Sequence, residues 1–146
     1  MFFKNMRKYK FCRTILISLL TMAMVSCSDS VNQSDPKAVA EAALVCKTTG
    51  DYESMKKIIK PSNTYTIEQI DKMIALVKEM KEKGTYKEEE KEQKTFTFKS
   101  IHAGIGGGDF TDEATSAKVF FEDSEGYIRE VVLEKENGKW YVERVN

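Results

Sequence analysis

The chain has 146 residues, with 23 basic and 23 acidic side chains, one histidine and three cysteines, for a formal net charge of 0. That length supports one hydrophobic core and so one domain. A neutral chain lacks the basic surplus that nucleic-acid phosphates demand, and the sequence contains no catalytic constellation, no metal-ligand spacing and no cofactor motif.

In chain order, the first element is a cationic leader. Lys4, Arg7, Lys8, Lys10 and Arg13 precede residue 14 with no acid among them, the pattern of a segment held on the cytoplasmic side during export. Residues 14–27 are apolar, too short to span a bilayer as a helix, which takes roughly 20 residues, and they end in small residues at a cysteine. Met24-Val25-Ser26-Cys27 resembles the lipobox of bacterial lipoproteins, with Met24 in place of the usual leucine. The resemblance implies lipidation of Cys27: a diacylglyceryl group on the thiol, cleavage before it by signal peptidase II, and acylation of the new amine. Residues 1–26 are accordingly read as a lipoprotein signal peptide. The alternative is an ordinary secretory signal with an incidental cysteine.

Cleavage at this point removes five basic residues and no acid, leaving 120 residues with formal charge −5. An acidic product offers no polybasic second membrane signal. The expected partner is therefore the membrane through acylated Cys27, since several acyl chains together hold what one chain holds only marginally. The expected location is the cell envelope, on the outer membrane. Cys12 leaves with the signal, so no internal disulfide can form. Cys46 stands at helical spacing from Ala43 and Val39 and reads as a small buried hydrophobe.

Residues 27–34 read as a lipidated tether, because Ser28-Asp29-Ser30-Val31-Asn32-Gln33-Ser34 is polar and short of anything to bury. Its start is loosely similar to the surface-export signals of Bacteroidetes lipoproteins. Residues 35–146 form the expected domain. Asp35-Pro36 is an N-cap followed by proline at the first helical position, and Gly50 is the stop. Asp51 caps a second short helix with Tyr52, Met55, Ile58 and Ile59 on one face, ended by Pro61. Thr66 and Gln69 are spaced as a capping box with Tyr65 and Ile70 as a staple. Ile67, Ile70, Met73, Ile74, Val77 and Met80 then make one stripe, expected to be a core face.

Residues 86–94 alternate lysine and glutamate, the pattern of a solvated helical turn or a charged edge strand. The period then becomes two: Phe96 and Phe98 share a face, as do Ala117, Val119 and Phe121. Gly104-Ile105-Gly106-Gly107-Gly108-Asp109 between them is a hairpin connection rather than a phosphate loop, because no helix follows it. Asn137-Gly138 sets the last hairpin, with Glu136 facing Lys139, Lys135 facing Trp140, Leu133 facing Val142 and Val131 facing Arg144. The expected fold is α+β, three N-terminal helices on a four-stranded antiparallel meander.

Ser34-Asp35-Pro36-Lys37-Ala38-Val39-Ala40, Lys47-Thr48-Thr49-Gly50-Asp51-Tyr52-Glu53, Ala117-Lys118-Val119, residues 127–134 and Asn137-Gly138-Lys139-Trp140-Tyr141-Val142 together resemble small bacterial lipoproteins of unknown function. Those proteins fall in the nuclear transport factor 2-like, cystatin-like superfamily. The resemblance implies a curved sheet wrapping a helix into a cone, often with a pocket and often paired into dimers. It brings no activity with it.

Three functional classes are open. The favoured one is a non-catalytic binding module for a small apolar ligand or a protein partner. The second is a pocket enzyme like the isomerases and dehydratases of that superfamily, which needs an acid or histidine base facing a tyrosine or acid. His102, Asp109, Asp112, Tyr65, Tyr86 and Tyr127 are its candidates. The third is a structural or inhibitory interaction domain, with Phe120-Phe121 marking a sheet face for a homodimer or partner. The sequence assigns no catalytic or ligand-binding residue.

Overall fold

The computed structural model describes residues 31–87, 94–104 and 106–146. The signal, Cys27, the first part of the tether and most of the charged run lie outside the described residues.

Helix α1 (Pro36–Thr49) starts where its cap demands, with Asp35 Oδ1 accepting the Lys37 N–H at 2.9 Å and Pro36 in the first turn. It ends at Gly50, whose φ of 71° is left-handed. Asp51 caps α2 (Tyr52–Ile58) by accepting the Ser54 N–H at 3.1 Å. Helix α3 (Thr64–Glu82) starts earlier than the expected box, because Asn63, not Thr66, is its cap: Asn63 Oδ1 accepts the Thr66 N–H at 3.1 Å. The chain is already turning there, since the Asn63 N–H donates to the Lys60 carbonyl at 2.9 Å. Tyr65 consequently stands 72% exposed, and no staple closes over it.

The strands are β1 (Phe96–Ala103), β2 (Gly108–Asp109), β3 (Ser116–Asp123), β4 (Ile128–Glu136) and β5 (Lys139–Val145). They form one antiparallel sheet of five strands in the order β2-β1-β3-β4-β5. The expected four-stranded meander is thus present with one addition. The glycine segment folds back so that Gly108 and Asp109 pair with Ala103 and His102.

Two bulges fix which side chains face inward. In β1 the register shifts between Phe98 and Ser100, so Phe98 stands opposite Phe121 and Ile101 opposite Val119. Lys99 is the extra residue, and the shift keeps Phe96, Phe98 and Ile101 all against the core. In β5 the expected pairs Glu136–Lys139, Lys135–Trp140 and Leu133–Val142 form, but a second bulge follows them. Val131 faces Val145 and Val132 faces Arg144, correcting the expected Val131–Arg144 pair. A regular ladder would turn Arg144 toward the core; one extra residue substitutes Val145.

Helix α1 covers the inner sheet face. Val39, Ala40, Ala43, Leu44 and Cys46 are buried in one cluster with Ala117, Val119, Phe121, Val131, Leu133, Trp140 and Val142, each large apolar side chain contributing about 1.5–3 kcal/mol on burial. With that face taken by α1, α3 stacks on α2 instead. Its stripe is only partly a core face: Ile70 is buried and Ile67 and Ile74 pack against the core, while Met73 is 38% exposed.

The folded part also begins before Asp35. Val31 packs against the core, and Gln33 pairs with β5, its carbonyl accepting the Trp140 N–H at 2.7 Å and its Nε2 donating to the Trp140 carbonyl at 3.4 Å. Residues 31–34 are therefore not free tether. Farther along the same edge, the Lys60 N–H donates to the Val142 carbonyl at 3.2 Å. Two non-strand segments thus cover the β5 edge, which would otherwise invite pairing with another chain.

Candidate functional site

A concavity lies where α1, α2, α3 and β5 meet, a cleft of about 350 Å³. Each wall has a local cause. The Gly50–Asp51 turn reverses the chain so that Met55 of α2 approaches Cys46 of α1. Ile59 is then held by a parallel bridge to Val142, and Asn63 launches α3 so that Thr66 and Ile70 form the outer wall.

The floor is apolar: Cys46, Met55, Ile59, Ile70 and Val142 are all buried. Lys47, Tyr52, Thr66, Glu143 and Arg144 supply the polar rim. Two of these are engaged, Lys47 Nζ donating to the Val145 carbonyl at 3.2 Å and Arg144 Nη2 lying 3.5 Å from Glu130 Oε1. Beside the cleft, Lys60 Nζ is ion-paired with Glu134. That hydrogen bond, with the charges of Glu134, Glu143 and Glu136, outweighs desolvation and holds the ammonium above its usual pKa.

A second groove of about 530 Å³ runs between residues 49–53 and the later turns of α3, with Tyr52 lining both. Its polar end carries Tyr86, with Lys81 Nζ 4.9 Å from the ring centroid.

The residues proposed from sequence for pocket chemistry lie mostly elsewhere. His102 is on the outer sheet face, its Nε2 3.1 Å from Ser100 Oγ and its ring edge-on to Phe120 at 5.8 Å. The register brings His102 opposite Asp109, so these two of the candidates are cross-strand neighbours, but on the outer face of the sheet. Asp112 is exposed in the β2–β3 loop, where its carbonyl accepts from Lys135 Nζ at 3.1 Å. Tyr127 is 60% exposed with the Arg129 guanidinium 5.5 Å from its ring. Tyr86 lines the second groove.

Sequence reasoning missed the rim residues Lys47, Thr66, Glu143 and Arg144, and no local signal marks them. It also missed Asp123, whose row gave a usable sign: Ala117, Val119 and Phe121 point inward, so Asp123 at the next alternate position does too.

Among the described residues no group of three or more His, Cys, Asp or Glu side chains is placed to hold a metal ion. No described helix is long and apolar enough to cross a membrane. No curated protein and no solved structure matches the chain. One family model, described as a domain of unknown function, matches residues 25–143.

Proposed function

The chain belongs to the DUF4878 family, a domain of unknown function, and we propose that it is a lipid-anchored binding module of the cell envelope that holds a small apolar ligand in the α1–α2–α3–β5 cleft. The observation that carries this reading is the cleft itself. Its volume of about 350 Å³ falls in the range of small-molecule sites, and it combines an apolar floor with a few polar groups at the mouth, the usual division between affinity and orientation.

The anchoring half of the reading rests on the lipobox-like Met24-Val25-Ser26-Cys27 and on the cationic leader before it. The sheet with α1 across its inner face is further read as the cone of the nuclear transport factor 2-like, cystatin-like superfamily. Helix α1 lying over an antiparallel meander supports that reading.

The pocket-enzyme alternative is less well supported, because His102, Asp109, Asp112, Tyr65 and Tyr127 do not line the cleft. An interaction role through the outer sheet face draws on Phe120, which stands on that face beside His102.

Native mass spectrometry of the full-length protein purified from its own envelope tests the ligand. The expected result is an extra mass of a small apolar compound that is absent from Ile70→Trp, a variant that fills the cleft, and from Thr66→Trp at its wall. Identical masses for all three proteins, or an extra mass that neither variant removes, would overturn the cleft as the site.

A further inference from the structure

We infer that the anchored domain stands with its β4–β5 hairpin end against the bilayer and its cleft set back from it. The inference rests on the lipid-anchor reading of Cys27 and adds an orientation to it.

Three observations carry it. First, the chain is fixed to the domain soon after the anchor, because Val31 packs on the core and Gln33 is hydrogen-bonded to Trp140 at the start of β5. The four residue steps from Cys27 to Val31 span at most about 14 Å whatever their conformation. Second, the far end is out of that reach. Strand β4, Ile128–Glu136, has nine residues, so it places the β3–β4 turn about 30 Å from the β4–β5 hairpin.

Third, the cleft runs from the middle of the domain toward the far end. It is lined by β5 from its midpoint Val142 to its last residue Val145, and by Cys46 and Lys47 near the end of α1. Helix α1 starts three residues after Gln33 is pinned at Trp140, and in its last turn Lys47 Nζ lies 3.2 Å from the Val145 carbonyl. Helix and strand therefore run side by side away from the anchor.

The surface at the near end fits lipid headgroups of either charge. Lys135 and Lys139 stand there with Asp112 and Glu136, and Lys135 is already spent on the Trp140 ring at 5.2 Å and on the Asp112 carbonyl at 3.1 Å. With no basic patch among the described residues of that end to add charge attraction, the short linkage sets the orientation. The cleft then receives its ligand from the aqueous side rather than directly from the acyl chains beneath it.

The test uses the full-length lipidated protein reconstituted into phosphatidylcholine–phosphatidylglycerol vesicles that contain a headgroup spin-labelled lipid as quencher. Lys139→Cys and Ser124→Cys each carry a nitrobenzoxadiazole label, with Thr111→Cys and Glu125→Cys as a second pair. Quenching is expected to be several-fold stronger at positions 139 and 111 than at 124 and 125. Equal or reversed quenching in protein whose mass includes the acyl chains overturns the orientation alone. A mass without acyl chains overturns the anchoring and the orientation with it.

Discussion

Arg129 and Asp123 are joined across the β3–β4 turn by two hydrogen bonds to one oxygen, Arg129 Nε and Nη2 donating to Asp123 Oδ2 at 2.8 and 2.6 Å. The other oxygen, Oδ1, accepts the N–H groups of Glu125 and Tyr127, both at 3.0 Å. The Asp123 side chain is fully buried while that of Arg129 is 36% exposed. A single carboxylate thus closes the turn and ends the inward row of β3. Burial alone would raise its pKa, but the guanidinium and the two backbone donors outweigh that and hold it below the ordinary aspartate value.

The first prediction is an acid limb of stability. A carboxylate with a depressed folded pKa stabilises the fold fully above its unfolded value, about 3.9, and that contribution is lost as pH falls through the folded value. Lys60 works in the opposite direction: its raised pKa gives stability that is present below about 10.4 and lost as pH rises past the folded value. Urea midpoints measured from pH 2 to 11 should therefore fall at both ends. In Asp123→Asn the acid limb should shrink, because an amide cannot carry the charge and leaves Arg129 short of an acceptor. An Asn variant with the wild-type acid slope would count against Asp123 as its source.

The second prediction separates the two sides of α3. Ile70 is 8% exposed and Met73 38%, although helical period assigns them to one stripe. Ile70→Ala should cost about 2–5 kcal/mol, the range for buried large-to-small changes. Met73→Ala should stay within about 0.5 kcal/mol, as for other surface changes, with alanine's helix propensity in its favour. Chemical denaturation of the two variants checks this. Equal losses would mean that α3 presses its whole stripe onto the domain.

What was legible in the sequence was mostly what is local. Asp35-Pro36 and Gly50-Asp51 specify helix ends through bonds within a few residues, and the structure has them. Asn137-Gly138 specified its hairpin because a two-residue turn needs positive φ at both positions, and φ is 50° and 76° there. The same register failed beyond Leu133–Val142, since the bulge that admits Val145 answers to the core and not to the turn. Thr66 and Gln69 lost to Asn63 because Ile59 is tied to Val142, a long-range bond that makes the chain turn early. Strand β2, at two residues, is too short to show a period. The cleft was invisible for a related reason: Cys46, Met55, Ile70 and Val142 come from four elements that only the topology brings together.

The third prediction concerns the lipobox. Cys27→Ala should abolish label from a tagged fatty acid and leave the protein uncleaved by signal peptidase II, so that it runs as the longer precursor. Metabolic labelling followed by gel mobility reads both at once. Normal labelling of the variant would remove the lipid anchor from consideration, while cleavage without any label in the wild type would point to an ordinary secretory signal.

The last prediction tests a homodimer through the outer sheet face. Phe121 is buried on the inner face, whereas Phe120 stands on the outer one, with His102 edge-on at 5.8 Å. An apolar ring among polar neighbours is a natural centre for such an interface. Phe120→Asp should convert dimer to monomer on a sizing column. Glu130 is its direct partner on β4, so the aspartate also adds like-charge repulsion within the sheet. Phe120→Lys separates the two effects, since lysine opposite Glu130 favours the fold while still removing the ring. Dimeric wild type with both variants monomeric and melting cooperatively would establish the interface. If the wild type elutes as a monomer, or if both variants keep the dimer's elution volume, the outer face is not where copies of this chain meet.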